Sequence, residues 1–108
     1  MANLPIEVVR VFFLDLDYRL LRNEVVSRGG LNHAPLDVRT VINRALELSA
    51  SRLLLVHNHP SGDPMPSYAD ASITKQLIEA GRPFDILVID HFVVAREGVK
   101  SLKSEKMI

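Results

Sequence analysis

The stretch from His57 to Asp70, HNHPSGDPMPSYAD, constrains this chain more than any other part of it. The apolar run Leu53-Leu54-Leu55-Val56 before it reads as a buried strand, and Ser67 through Gly81 after it reads as a helix. The histidines therefore stand where a rigid strand gives way to a Pro/Gly loop. In extended backbone, side chains at i and i+2 point to one face, so His57 and His59 converge. Asp70 lies one turn inside the next helix and can return to the same point. Two imidazoles and a carboxylate with an open fourth position are what a catalytic zinc ion requires.

Plainer explanations exist for each part. A histidine on a strand is commonly an ordinary core or surface residue. Ser67-x-x-Asp70 also has the form of a helix N-cap with an acidic residue three positions on, which satisfies free N–H groups and complements the helix dipole. The cap does not exclude a second role for either residue.

The elements around this stretch set the expected architecture. Val8 to Leu14 is β-branched and aromatic, hence a strand, and Asp15-Leu16-Asp17-Tyr18 supplies a turn into a second strand over about 19–28. Gly29-Gly30 ends that hairpin, and Leu31 to Pro35, with His33, forms a loop. Asp37 is the expected N-cap of an amphipathic helix running to about Ser49, with Val38, Val41, Ile42, Ala45 and Leu46 at helical spacing. Arg52 to His57 is the central strand. The second helix stops at Gly81, read as its C′ residue, with Pro83 beyond. Strands are then expected over 84–90, 92–95 and 99–102. The fold class is α/β, a mixed sheet with two main helices packed against it. The 108 residues are expected to form a single domain, with a frayed lead-in over 1–5 and a mobile polar tail over 103–108.

Composition narrows the function classes. Thirteen Lys/Arg balance thirteen Asp/Glu, so there is none of the basic excess that marks a nucleic-acid binder. No cysteine is present, which excludes disulfides and thiolate metal sites and fits a cytoplasmic protein. No apolar run approaches the length of a membrane span, and no signal peptide is evident, so no membrane partner is expected.

His57-x-His59, seven intervening residues, then Ser67-x-x-Asp70 resembles the JAMM signature of MPN/JAB-domain zinc metallopeptidases. The fuller string His-Asn-His-Pro-Ser-Gly-Asp-Pro resembles the RadC branch, and the likeness extends from about Glu7 to Leu102. The resemblance implies an MPN/JAB (cytidine-deaminase-like) sandwich. It implies one zinc ion held by His57, His59 and Asp70, oxyanion support from Ser67, and a peptide or isopeptide substrate. It also implies a general base upstream, at the start of a sheet strand, and Glu7 occupies the matching place. Glu24 is the competing carboxylate, at mid-strand.

Asp90-His91 echoes the same branch, and Asp90 is a candidate acceptor for a ligand histidine's second N–H. Tyr68 and Met65 are candidates for a cleft edge. Asn58, where the eukaryotic-type JAMM members carry Ser or Thr, should point away from the metal. The branch's name also keeps open a second reading, a DNA-repair-associated nucleic-acid or protein-interaction module with little or no peptidase activity.

Overall fold

The computed structural model describes residues 1–28 and 36–108. Among these residues, five strands and two α-helices follow in the order β1 (Val8–Leu14), β2 (Leu20–Arg28), α1 (Val38–Leu48), β3 (Arg52–Asn58), α2 (Tyr68–Gly81), β4 (Leu87–Ala95) and β5 (Gly98–Ser101). The strands form one sheet in the order β2-β1-β3-β4-β5. β1 pairs antiparallel with both β2 and β3, β3 pairs parallel with β4, and β4 pairs antiparallel with β5. The sheet is therefore mixed, as expected. The loop containing His33 lies outside the described residues.

Strand alternation decides which side chains meet the helices. Val9, Val11 and Phe13 of β1 lie opposite His57, Leu55 and Leu53 of β3, so all six share one face. That face packs with Val41, Ile42 and Ala45 of α1 and Ile73 and Leu77 of α2 in one buried cluster. His57 is thus the last residue of a core row, and it is fully buried.

Local chemistry explains the element ends. Asp15 Oδ1 accepts the N–H groups of Asp17 and Arg19 at 2.9 Å, closing the β1–β2 turn with Tyr18 in the left-handed region. Asp37 caps α1 through the Arg39 N–H at 3.0 Å. Ser49, left-handed at φ 56°, ends that helix and returns its N–H to Leu46.

Three expectations change. Gly81 is not a left-handed C′ residue; it is still helical, and the chain continues through a 3-10 turn, Arg82–Phe84, to Asp85 at φ 55°. Glycine is needed there because a Cβ would stand 2.5 Å from the Ile86 carbonyl oxygen. Second, the strands expected over 84–90 and 92–95 are one strand, β4, starting at Leu87. The polar pair Asp90-His91 reads as a break, but both side chains find partners on opposite faces of the strand. Third, residues 103–108 form hydrogen-bonded turns: Glu105 N–H reaches Ser101 O and Met107 N–H reaches Leu102 O, both at 2.9 Å. Met107 and Ile108 pack against Ala71, Val93 and Leu102.

Among the described residues, no helix is long and apolar enough to cross a membrane.

Candidate metal centre

Four side chains meet at the C-terminal end of β3. Glu7, His57, His59 and Asp70 each offer one ligand atom, and these atoms lie within 4.8 Å of one another. His57 Nε2 stands 3.3 Å from Glu7 Oε1 and 3.3 Å from Asp70 Oδ1. His59 Nε2 stands 3.1 Å from Asp70 Oδ2.

Each position has a local cause. β3 fixes His57, and the His59 N–H donates to Val94 O at 2.9 Å, so His59 keeps strand-like placement as the loop departs. Gly62, at φ +97°, turns the loop, and Gly62 O accepts the Glu97 N–H at 3.0 Å. Ser67 and Asp70 form the reciprocal cap that the spacing predicts. Asp70 N–H donates to Ser67 Oγ at 3.0 Å, and Ser67 N–H donates to Asp70 Oδ2 at 2.8 Å. The cap thereby aims the Asp70 carboxylate at both imidazoles.

Glu7 precedes β1, and Asn58 holds it there. Asn58 Oδ1 accepts the Val8 N–H at 2.6 Å, and Asn58 Nδ2 donates to Ile6 O at 2.8 Å. These two bonds pin the residues on either side of Glu7. Glu24 is drawn elsewhere: Arg44 grips it through Nε and Nη2 at 2.8–3.2 Å and lowers its pKa. Tyr68 and Met65 are exposed.

Asp90 does not reach His57 or His59. Its carboxylate accepts from Ser101 Oγ and the Lys103 N–H, tying β5 and the turn after it to β4. His91, fully buried on the other face of β4, takes the place foreseen for Asp90, with Nε2 2.7 Å from His57 Nδ1. Thr74 Oγ1 lies 2.7 Å from His91 Nδ1. Thr74 carries no motif that the sequence alone would point to. No local signal marks it, because its position depends on α2 packing over β4.

The electrostatics favour a cation. His59 Nδ1 lies 3.0 Å from Asp63 O. A carbonyl only accepts, so Nδ1 carries the hydrogen and a neutral ring turns a bare Nε2 toward Asp70. His57 Nε2 is buried without a hydrogen-bond partner among the described residues, although two carboxylates face it. Nitrogen lone pairs set against carboxylate oxygens repel unless positive charge lies between them. A metal ion fits this donor set.

Proton affinities follow the same logic. The Asp70 carboxylate raises the pKa of His59 against the opposing effect of burial. Burial raises that of Asp70, but His57 and His59 outweigh it and hold the carboxyl well below the usual range. Burial, with His57 adding to it, pushes His91 down to about 3.

A cleft of about 740 Å³ opens at the other end of β3, lined by residues that include Leu16, Arg52, Arg82, Phe84 and Leu87. It contains none of the four clustered side chains.

A mixed sheet with two helices and a His/His/Asp/Glu group able to hold a metal ion defines an α/β domain of the JAB class. The model of the RadC-like JAB domain matches residues 1–107, and the chain belongs to that family.

Proposed function

We propose that this chain is a zinc-dependent hydrolase of peptide or isopeptide bonds. His57, His59 and Asp70 are the ligands, Glu7 is the general base, and Ser67 is the oxyanion donor. The observation that carries the reading is the buried His57 Nε2, without a hydrogen-bond partner among the described residues and facing two carboxylates. Two imidazoles and one carboxylate leave a net positive charge on a divalent ion, and they are the borderline donors that zinc accepts. Zinc there would supply Lewis acidity, polarising the substrate carbonyl and bringing the pKa of a water to ~7.

The chain's own groups divide the remaining work. Glu7 lies against His57 with its side chain about a third exposed (36%), so it has access both to the site and to solvent. It takes the proton from the attacking water and returns it to the leaving nitrogen. Ser67 Oγ accepts from Asp70 N–H, and its own hydrogen has no acceptor among the described residues. That hydrogen is free to donate to the oxygen that becomes negative as the carbonyl is attacked. Asp70 stays ionised, with the Ser67 N–H holding its carboxylate beside the two imidazoles. The alternative of a nucleic-acid module gains no support from thirteen positive residues offset by thirteen negative ones.

The test is hydrolysis of a panel of fluorogenic peptides and lysine-isopeptide conjugates by the zinc-loaded chain. Cleavage that stops with a chelator and returns with zinc supports the reading. Cleavage that survives full zinc removal contradicts it.

A further inference from the structure

A chain of buried hydrogen bonds runs from the α2 backbone to the metal-site histidine, and its hydrogens can be assigned one by one. Thr74 Oγ1 lies 2.6 Å from Asp70 O. The carbonyl has no hydrogen to give, so the hydroxyl spends its single hydrogen there. Only lone pairs are then left for His91 Nδ1, 2.7 Å away, so His91 Nδ1 carries that ring's hydrogen. A neutral ring, as complete burial favours, has a bare Nε2. That nitrogen lies 2.7 Å from His57 Nδ1, which must therefore be the donor. His57 is left with its lone pair on Nε2, the atom facing Glu7 and Asp70.

We propose that Thr74 and His91 are positioning residues that set the tautomer of His57 and so make its Nε2 a metal ligand, an inference that rests on the metal centre proposed above. The relay begins on the backbone of one ligand residue, Asp70, and ends on the ring of another, His57. Losing the Thr74 hydroxyl removes the acceptor that keeps the hydrogen on His91 Nδ1. His91 can then carry it on Nε2, pointing at His57 Nδ1 and driving the His57 hydrogen onto the ligand nitrogen. A residue that only filled the core would show no such dependence on one hydroxyl. Outer partners of ligand histidines typically contribute about 10- to 100-fold to metal affinity.

The experiment combines ¹⁵N–¹H multiple-bond spectra of the histidine rings with zinc affinity measured against a chromophoric chelator, both on the full chain. The unmodified protein should show His91 protonated on Nδ1 and bare on Nε2. Thr74→Val should move that hydrogen to Nε2 and weaken zinc binding by about 10- to 100-fold, whereas Thr74→Ser should match the unmodified protein in both. His91 protonated on Nε2 in the unmodified protein, or a folded Thr74→Val variant with unchanged zinc affinity, would overturn the inference. The spectra of the unmodified chain decide it even if Thr74→Val does not fold. An unmodified chain that takes up no zinc contradicts the metal reading instead, and the metal-free ring spectra still decide the tautomer.

Discussion

Asn58 serves Val8 as a neighbouring strand would: its side-chain oxygen accepts the Val8 N–H at 2.6 Å, just beyond the point where the β1–β3 ladder ends at Val9 and His57. Its amide nitrogen donates to Ile6 O at 2.8 Å. One side chain from β3 thus extends the sheet along the segment that carries Glu7, while the His57 and His59 rings face the opposite way. Asn58→Leu keeps much of the volume and leaves two backbone groups unpaired. Each such group costs about 1–3 kcal/mol when buried. Denaturant unfolding should show the loss, and hydrogen exchange should show lost protection at the Val8 amide. Unchanged protection at Val8 would contradict the clamp.

Glu7→Gln tests the general base. The amide is nearly isosteric and cannot take a proton, so zinc content and thermal unfolding should stay close to those of the unmodified chain. Hydrolysis should fall by roughly 10²–10⁴. A variant as active as the parent would remove Glu7 from the role.

Ser67→Ala removes the hydroxyl that accepts the Asp70 N–H. Loss of the cap should cost about 0.5–2 kcal/mol. Zinc should remain bound, because no ligand is lost, and turnover should drop with the missing oxyanion donor. Denaturation and rate measurements on one preparation check both effects.

Much of this centre is legible in the sequence, for a definite physical reason. The i, i+2 placement of His57 and His59 fixes their common face through strand geometry alone, and Ser67-x-x-Asp70 fixes the carboxylate through helix capping. Both rules act over a few residues. The outward-facing Asn58 is legible in the same way, but its partners lie some fifty residues upstream and are set by the β1–β3 register. His91 and Thr74 are harder still. β3 and β4 shift register between Leu53 and Leu54, and only with that shift does His91 fall beside Leu55, within reach of His57. Polar residues inside β4 look like a strand break until their cross-strand and helix partners are known.

Zinc binding should also depend on pH with a defined sign. Metal and proton compete for His59 Nε2, and Asp70 raises the proton affinity of that ring in the metal-free chain. Acidification through the raised pKa of His59 should therefore weaken zinc binding, with protons taken up as metal leaves. Calorimetric titrations across that range in buffers of different ionisation enthalpy count the protons. Affinity that strengthens toward acid would contradict this.

The most direct measurement is the zinc content of the purified, zinc-equilibrated and desalted chain, by elemental analysis, beside that of the folded His57→Ala/His59→Ala variant. About one zinc per chain, as expected of a site with two histidines and one carboxylate, should be present in the first and absent from the second. Stoichiometric zinc retained by the double variant, or none taken up by the unmodified chain, would contradict a metal centre built on His57, His59 and Asp70.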